Sequence, residues 1–375
     1  MAKPRIVCVV GTRPDTIKTA PVVQELRRYD GAETILVATG QHREMLAQAL
    51  AAFDLTADRD LAIMQHGQTL AQVTSRALEG LDGIIDELKP DYVMAQGDTT
   101  TTFVAALAAF YRQVPYGHIE AGLRTDTITN PFPEEFNRRA AALVTAHHFP
   151  PTKWAAKNLE QEGHKSLWIT GNTGIDAVLQ IADREEQTWL PDHPGRVFLL
   201  TTHRRENWGE PQRRIAKAAR DLVDRYQDAV LVVAMHRNPT VREVLEDVLG
   251  RHPRIQLIEP PDYAQFVKLM QRSTLILTDS GGVQEEAPAF GKPVLVLRDT
   301  TERPEGVDAG AAKLVGTEYD QIFSSACSLL DDPEAYAKMS ESVSPYGDGR
   351  AAKRIRYVVL RALGIESPEE AMWES

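Results

Sequence analysis

The chain has 375 residues, enough for two domains of ordinary size and more than one hydrophobic core usually supports. It is 43% apolar and 25% charged, as ordinary globular proteins are, and its net charge of −11 argues against a general nucleic-acid-binding surface. The two cysteines, Cys8 and Cys327, lie in apolar runs without metal-ligand or CxxC spacing, which argues against a disulfide framework or a cysteine metal site.

The N-terminal stretch MAKPRIVCVVG is typical of a short strand followed by a glycine, and it is too short for a signal peptide. No apolar run approaches the length of a membrane span. These features predict a cytoplasmic protein without a membrane or nucleic-acid partner.

Short apolar runs alternate with helical patterns through the first half of the chain. The predicted strands are RIVCVV, ETILVAT, DYVMAQGD and VPYGHIEAG, and segments between them, such as TTTFVAALAAFYRQ, carry apolar residues at helical spacing. Continuous apolar strands joined by helices indicate a parallel sheet covered on both faces.

The pattern restarts near Leu167, where the predicted strands are LWITGN, RVFLLTTH, AVLVVAMH, IQLIEP, STLILTD and PVLVLRD. We therefore predict an α/β protein with two facing, doubly wound Rossmann-like domains, residues 1–166 and 167–350. A helix within residues 351–375 is expected to pack back on the first domain. Because parallel sheets bind ligands at the carboxyl ends of their strands, we expect the active site in the interdomain cleft.

The turn after the first strand, GTRPDTIKTAPV, departs from the GxGxxG pattern of dinucleotide-binding folds. It places Arg13 in the turn and Lys18 five residues later, where both charges can reach the mouth of a ligand site. Ordinary surface charge is the alternative interpretation, but the end of a first strand in this fold favours a functional role.

Three acidic residues in the first half lie where ligands bind in such folds. Asp98 follows a strand in QGDTTTT, Glu120 ends the strand in HIEAGLRT, and Glu134 begins a helix after NPFP. Arg138 lies four residues after Glu134 and can occupy the same helix face. Helix capping explains Asp98 taken alone, but three carboxylates converging on one edge form a candidate acid–base set.

Histidine and arginine residues follow two strands of the second half. His203 and Arg204 lie in THRRENWG, and His236 lies in AMHRNP. This placement suits an anionic ligand. The adjacent His147 and His148 lack partners at metal-ligand spacing and are interpreted as structural.

The stretch TDSGGVQEEAPAFGKPV joins two apolar strands through a pair of glycines. Backbone N–H groups of residues 280–282 at a helix start suit a diphosphate, and Glu286, one turn later, suits a ribose diol. Arg303 lies in RDTTERPEG, after the next strand. A turn chosen only for tight packing explains the glycines but not these charges, so a nucleotide-diphosphate site is favoured.

Nine motifs in order carry a resemblance to a known family: GTRPDTIKTAPV, GQHREM, QGDTTTT, HIEAGLRT, PEEFNRR, THRRENWG, TDSGGVQEEAP, RDTTERPEG and SPYGDGRA. From about residue 5 to residue 360 the chain resembles the non-hydrolysing UDP-N-acetylglucosamine 2-epimerases. The resemblance implies the glycosyltransferase-B fold, a homodimer, and no metal or nicotinamide cofactor. It also implies reversible conversion of UDP-N-acetylglucosamine to UDP-N-acetylmannosamine, by elimination of UDP to 2-acetamidoglucal and re-addition, for cell-surface polysaccharide synthesis.

The resemblance further implies roles for single residues. Asp98, Glu120 and Glu134 match the acid–base positions, without deciding which of them removes the C2 proton, and His203 is counted with them as catalytic. The residues implied to bind the substrate are Arg13, Lys18, Arg138, Ser280, Gly281, Gly282 and Arg303, with Glu286 for the ribose and Pro261 and Phe266 for the uracil.

Some family members carry a second, regulatory site for UDP-N-acetylglucosamine, and this chain matches it incompletely. Gln41, Arg204 and His236 match that site, whereas Glu44 and Gly67 replace a glutamine and an arginine. We therefore expect a weak or absent regulatory site. A milder departure is GTRPD in place of the family's usual GTRPE.

Several alternatives stay open from the sequence alone. The chain could be a hydrolysing 2-epimerase that releases UDP and N-acetylmannosamine, or a 2-epimerase of a 2,3-diacetamido uronic acid donor. A glycosyltransferase of the same fold is a third alternative, and a non-catalytic sugar-nucleotide sensor is a fourth.

Overall fold

The structure is a computed structural model that describes residues 3–40, 43–63, 65, 67–342 and 344–374, with the backbone alone for residues 43–45. The chain forms two compact units. The first comprises Met1–Ala177 and Tyr346–Ser375, and the second comprises Val178–Pro345.

The first unit contains a six-stranded sheet whose strand pairs are all parallel. Its strands are β1 (Arg5–Val10), β2 (Glu33–Ala38), β3 (Arg59–Asp60), β4 (Tyr92–Gln96), β5 (Tyr116–Ile119) and β6 (His147–Phe149). Their order across the sheet is β3-β2-β1-β4-β5-β6. Every residue of β4 and β5 is buried, which is why these strands are almost continuously apolar in sequence.

The helices of the first unit include two groups in mutual contact. The helices are α1 (Arg13–Arg27), α2 (Arg43–Ala51), α3 (Leu70–Leu88), α4 (Thr100–Tyr111), α5 (Glu134–Ala142), α6 (Lys153–Gln161), α7 (Thr173–Arg184) and, from the C-terminal segment, α15 (Ala351–Ala362). α1 contacts α2 and α15, whereas α4 contacts α3 and α5. Helix α7 continues into the second unit.

Helix α3 shows how the sequence specifies these elements. Thr69 caps its N-terminus, accepting a hydrogen bond from the Gln72 backbone N–H while the Gln72 side chain accepts one from Thr69. Its buried residues recur every three or four positions: Val73, Ala77, Leu81, Ile84, Ile85 and Leu88. Burying each of the larger side chains contributes about 1.5–3 kcal/mol, so one apolar stripe orients the whole helix.

The second unit repeats this architecture with a second six-stranded parallel sheet. Its strands are β7 (Val197–Thr201), β8 (Val230–Ala234), β9 (Ile255–Ile258), β10 (Leu275–Thr278), β11 (Val294–Val296) and β12 (Ala312–Leu314), in the order β12-β11-β10-β7-β8-β9. Its helices are α8 (Glu210–Arg225), α9 (Pro239–Leu249), α10 (Tyr263–Arg272), α11 (Gly281–Glu286), α12 (Pro304–Asp308), α13 (Tyr319–Asp331) and α14 (Pro333–Ser340), with 3₁₀ turns at Arg205–Asn207 and Ala287–Phe290.

Both strand orders reverse once, between β1 and β4 in the first unit and between β7 and β10 in the second. This is the doubly wound topology, and it confirms the predicted α/β class with two Rossmann-like domains. At each reversal the loops after two neighbouring strands leave the same edge of the sheet. A ligand is expected at that edge.

The stretch LWITGN does not begin the second sheet. Leu167 forms an isolated parallel bridge to His148 of β6, at the outer edge of the first sheet. A short apolar run in the sequence predicts a strand but not the strand with which it pairs. The second unit begins later than the apolar run at Leu167, at Val178 inside α7.

The C-terminal segment packs on the first unit through a buried arginine. Arg356 of α15 is 2% exposed and lies over the ring of Tyr29 at 4.8 Å. It also donates a hydrogen bond to the carbonyl of Pro368 at 2.8 Å. Arg356 therefore connects α15 both to Tyr29, just after α1, and to the C-terminal tail. None of the described helices is long and apolar enough to cross a membrane.

Candidate active site

The loop after β1 is held by a buried carboxylate. Asp15 is 2% exposed and accepts the backbone N–H groups of Gly11 at 3.2 Å and Thr12 at 2.9 Å. Burial raises the pKa of Asp15 to about 7, although these backbone hydrogen bonds oppose the rise. A Cβ atom at Gly11 would lie 2.1 Å from the Thr101 hydroxyl of α4, so only glycine fits there.

Arg13 is presented by this loop as the first residue of α1. It is half-buried, and its guanidinium makes no hydrogen bond or ion pair with any residue that the structure describes. An arginine beside the carboxyl ends of β1 and β4 that has no protein partner is well suited to an anionic ligand.

The tip of β4 is joined to α5 by three hydrogen bonds. Arg138 donates from Nε at 2.9 Å and from Nη2 at 2.6 Å to one oxygen, Oδ2, of Asp98. The Asn137 amide donates to the Asp98 carbonyl at 2.9 Å. Arg138 also binds Glu135, which is fully buried and binds Arg139 as well. The ion-pair partners of Arg138 are therefore Asp98 and Glu135, and it forms no ion pair with Glu134.

Glu120 follows β5 with an unusual backbone conformation. Its φ is +60°, a left-handed conformation uncommon for residues other than glycine, and such strain clusters at functional sites. Its carboxylate pairs with Lys18 of α1 at 2.5 Å, and both side chains are largely buried. The pair joins the β5 end to α1, across 102 residues of sequence.

Glu134 differs from the other two candidate carboxylates. It is the first residue of α5 and is half-buried. Its carboxylate forms no hydrogen bond or ion pair with any described residue, whereas Asp98 and Glu120 each have a cationic partner. The Glu134 carboxylate is therefore a candidate general base that is not held in an ion pair with a described residue.

His118 braces the β4 loop from the neighbouring strand. Its Nε2 lies 2.7 Å from the carbonyl oxygen of Gly97, immediately before Asp98, and its Nδ1 is buried without a hydrogen-bond partner. The carbonyl can only accept, so Nε2 carries the proton. Burial lowers the pKa of His118 to about 4, and therefore the ring is neutral at pH 7.

Replacing His118 by Gln, which can still donate to Gly97, is expected to weaken the pH dependence of stability. In the unfolded chain His118 gains a proton below pH about 6.5, but the folded ring resists protonation down to about 4. The stabilisation is present above pH 6.5 and is lost as pH falls towards 4. The measurement is the free energy of unfolding in urea for the wild type and H118Q. The wild-type value minus the H118Q value should be roughly 2 kcal/mol smaller at pH 5 than at pH 7.5. An equal difference at both pH values would contradict this.

The adjacent His147 and His148 both lie on β6, an edge strand of the first sheet. His148 is 1% exposed on β6, and burial lowers its pKa to about 3. Nδ1 of the neighbouring His147 lies 3.0 Å from the hydroxyl oxygen of Tyr92. Among the described residues, no group of three or more histidine, cysteine or acidic side chains is placed to hold a metal ion.

In the second unit, a buried carboxylate organises the loop after β7. Asp279 is 0% exposed and follows β10. It accepts hydrogen bonds from the backbone N–H groups of His203 at 3.1 Å and Arg204 at 3.0 Å, and from the Asn207 amide at 2.9 Å. The His203 ring also contacts it, with Nδ1 at 3.0 Å from Oδ1. Burial by itself would raise the pKa of Asp279, but its bond to His203 holds that pKa below the usual value.

Glu302, on the loop after β11, contacts three arginines. It lies 2.8 Å from Arg204, 2.6 Å from Arg298 and 3.2 Å from Arg303. Burial opposes ionisation, but Arg303 and Arg298 lower the pKa of Glu302 to about 2. Arg298 also pairs with Glu206 at 2.9 Å, and Arg303 pairs with Glu285 at 2.6 Å, so three carboxylates accompany the three arginines of this network.

The turn at residues 280–282 is covered by one of these arginines. A Cβ atom at Gly281 would lie 2.7 Å from Cζ of Arg303, so the guanidinium packs directly on the Gly281 backbone. Arg303 is held there by Glu285 at 2.6 Å. Because α11 has only six residues, its macrodipole is small. An anion at this turn would be bound mainly by N–H groups and Arg303.

The residues expected to contact a nucleoside lie on and around α10. Pro261 and Phe266, both half-buried, flank the start of this helix. Tyr263 between them donates its hydroxyl hydrogen to Glu286 at 3.4 Å. This bond connects the helix that carries Phe266 to the end of α11.

The residues matched to a regulatory site are only partly described. Gln41 lies outside the described residues, and so does the side chain of Glu44. The ring of His236 lies 6.1 Å from that of His203, and burial together with His203 lowers its pKa. Arg204 is paired with Glu302.

Sequence analysis did not single out His118, Asp279 or Glu302. All three act through other residues, and each has a distant contact: His118 with Gly97, 21 residues away, Asp279 with His203, 76 residues away, and Glu302 with Arg204, 98 residues away. A signal existed for Asp279, because it lies at a strand tip, as Asp98 does. An acidic residue directly after an apolar strand is a candidate site residue, and this criterion applies to Asp279 as it does to Asp98.

Comparison with known proteins decides the family. The sequence model described as UDP-N-acetylglucosamine 2-epimerase matches residues 24–360, which includes parts of both units. The chain belongs to the UDP-N-acetylglucosamine 2-epimerase family. Members bearing this name are epimerases, a class of isomerase.

Relatives within the UDP-N-acetylglucosamine 2-epimerase family align along nearly the whole chain. The Bacillus subtilis enzyme named UDP-N-acetylglucosamine 2-epimerase is 49% identical over 359 residues, 95% of this chain and 94% of that protein. The structure of S. aureus MnaA with UDP is 44% identical with a TM-score of 0.90, covering 99% of this chain and 100% of that one. The UDP-GlcNAc 2-epimerase of Neisseria meningitidis bound to UDP-GlcNAc is 44% identical with a TM-score of 0.86, covering 95% and 100%. These likenesses confirm the family and the glycosyltransferase-B type of fold.

Proposed function

We propose that this protein catalyses the reversible C2 epimerisation of UDP-N-acetylglucosamine to UDP-N-acetylmannosamine without net hydrolysis. The observation that carries the proposal is the carboxylate set of the first unit. Glu134 has no partner among the described residues, while Asp98 and Glu120 are each paired with a cation. Family membership supports the nucleotide-sugar substrate.

The reaction requires a base and a stabilised leaving group. The sugar C2–H bond breaks, its proton passes to a carboxylate, C1=C2 forms, and the C1–O bond breaks with its electron pair leaving on UDP. Re-addition reverses these events, with the proton delivered to the other face of C2. Because the two faces of 2-acetamidoglucal are opposite, two acid–base groups suit the reaction better than one.

We assign the sugar chemistry to the first unit. Glu134 is the preferred base because, among the described residues, it has no ion-pair partner, unlike Asp98 and Glu120. Asp98 and Glu120, held by Arg138 and Lys18, are the candidate groups for the opposite face. The same two cations would fix the orientation of both carboxylates against the sugar ring.

We assign most of the nucleotide contacts to the second unit. The diphosphate gains charge as C1–O breaks, so donors that face it stabilise the transition state. Those donors are His203, Arg303 and the N–H groups of Ser280, Gly281 and Gly282. Arg13 of the first unit is proposed separately as a substrate-binding residue. Glu286 would accept a ribose hydroxyl, and Pro261 and Phe266 would contact the uracil.

The experiment that tests this function is incubation with UDP-N-acetylglucosamine in D₂O, followed by proton and phosphorus NMR. We expect both epimers, each deuterated at C2, because the proton exchanges with solvent at that carbon. Formation of free UDP and N-acetylmannosamine would contradict the proposal and show that the enzyme is a hydrolysing 2-epimerase. An unchanged substrate would overturn it in favour of another donor sugar or a transferase.

We also propose that regulation by UDP-N-acetylglucosamine is weak. Gly67 has no side chain to contact a second nucleotide sugar, and Glu44 places a negative charge where some family members have a neutral glutamine. A UDP-N-acetylmannosamine reaction should therefore proceed without added UDP-N-acetylglucosamine. A strict requirement for it would contradict this proposal.

A homodimer is the proposed assembly. The exposed large apolar side chains among the described residues all lie in the first unit, and most belong to one segment: Phe110, Tyr111, Ile128, Phe132, Phe136 and Leu143. Several of them border α5, which carries Glu134. Sedimentation velocity tests the proposal, and a monomer at micromolar concentration would refute it.

A further inference from the structure

The His203 ring lies in ion-pair contact with Asp279, with Nδ1 at 3.0 Å from Oδ1. The Asp279 carboxylate is ionised, because its pKa lies below the usual value, and an ionised carboxylate only accepts hydrogen bonds. The negative charge of Asp279 beside Nδ1 repels a ring lone pair and attracts an N–H, so it favours the form of His203 that carries a hydrogen on Nδ1. The other ring nitrogen, Nε2, is the one available to a ligand, and 43% of the side chain is exposed.

The surroundings hold the ring in this orientation. Asp279 also binds the backbone N–H groups of His203 and Arg204, and it receives the Asn207 amide, so the carboxylate cannot rotate without breaking several bonds. The other charged or titratable groups around the ring are His236 at 6.1 Å and Arg204, whose guanidinium is already paired with Glu302. Among these groups, Asp279 is the one that contacts the ring.

We propose that Asp279 is a positioning residue that makes His203 take up a proton when a diphosphate binds. The inference rests on the proposed function, because it assumes a nucleoside diphosphate at this site. A bound phosphate oxygen at Nε2 and the carboxylate at Nδ1 place negative charge at both ring nitrogens. Only the doubly protonated ring donates to both. The proton comes from solvent to Nε2 on binding and returns to solvent when the nucleotide leaves.

This proton has a consequence for the reaction. As C1–O breaks, negative charge builds on the diphosphate, and a cationic donor already in contact needs no further reorganisation. Asp279 fixes the ring at Nδ1 and balances its charge, as the carboxylate does for histidine in hydrolase triads. Asp279 itself remains an acceptor throughout.

The test is calorimetry of UDP binding in two buffers of equal pH but different ionisation enthalpy. The difference between the two heats gives the number of protons taken up, and the protons that UDP itself exchanges are common to all variants. Wild type should take up a fraction of a proton more than His203→Gln. D279N should resemble H203Q, because an asparagine can donate to Nδ1 and leave the proton on Nε2. Both variants should bind UDP roughly 10- to 100-fold more weakly.

The second unit offers a matched control. His252 lies 2.9 Å from Asp224, forming another histidine–aspartate pair, but it precedes β9 and is at the opposite edge of the sheet. The H252Q variant should keep the wild-type proton uptake and UDP affinity. If D279N does not fold, the comparison of wild type, H203Q and H252Q still decides the proton uptake.

A spectroscopic readout separates positioning from a general packing role. Nitrogen-15 NMR of His203 should show a hydrogen on Nδ1 in the wild type and on Nε2 in neutral D279N. UDP binding with equal proton uptake in wild type and H203Q would overturn this inference but leave the proposed function intact. Failure of UDP to bind the wild type would overturn both.

Discussion

Replacing Glu134 by Gln is expected to lower kcat by about 10²–10⁴-fold while the protein stays folded. Glutamine keeps the shape of the side chain but cannot take up a proton. The native carboxylate makes no hydrogen bond or ion pair with a described residue, so its loss breaks no internal contact. The measurements are the rate of C2 deuteration in D₂O and the free energy of unfolding in urea.

The neighbouring Glu135 is the control for this variant. Glu135 is fully buried and bonded to Arg138 and Arg139, so E135Q removes part of a buried ion network. We expect E135Q to destabilise the fold by about 3 kcal/mol. If E134Q retained wild-type deuteration, the base would have to be Asp98 or Glu120. The same assay on D98N and E120Q would then identify it.

Replacing Gly122 by Ala is expected to lower the free energy of unfolding by about 3 kcal/mol or more. The φ angle of Gly122 is +91°, where residues with a side chain are strained. A Cβ atom would lie 2.3 Å from the carbonyl oxygen of Ala155, which belongs to the backbone of α6 and cannot rotate away. Urea unfolding at pH 7.5 measures the effect.

The control for G122A is Gly163→Ala. Gly163 has a similar φ of +84°, but a Cβ atom there would meet nothing within 4 Å. G163A therefore carries the backbone strain without the collision and should lose only about 1 kcal/mol. Equal losses for the two variants would show that the contact with Ala155 is unimportant.

The Gly122 variant should also slow the reaction. Glu120 lies two residues earlier, in a left-handed conformation, and its pairing with Lys18 requires the turn to keep its course. The Asn158 amide anchors the Gly122 carbonyl at 3.0 Å. A displacement of about 1 Å at this turn can cost about 10²-fold in rate. In G163A the deuteration rate should stay close to that of the wild type.

Local sequence patterns identify most of the helices and strands and the positions of the strand tips. Short, nearly continuous apolar runs such as VFLLT and YVMAQ are typical of strands buried on both faces, and helices such as α3 carry their own caps and apolar stripes. These signals are local, because backbone conformation depends on residues within a few positions. Asp98 and Glu120 were placed at the ligand-binding edge for the same reason.

The pairing of the charges, in contrast, depends on how distant segments pack. Lys18 pairs with Glu120 over 102 residues and Arg138 with Asp98 over 40, whereas helical spacing alone places Arg138 on the same face as Glu134. The isolation of Glu134 and the contact of Asp279 with His203 also depend on which strands become neighbours. Close packing of distant segments selects such contacts, and a hydrogen bond between two distant residues leaves no local pattern in either segment.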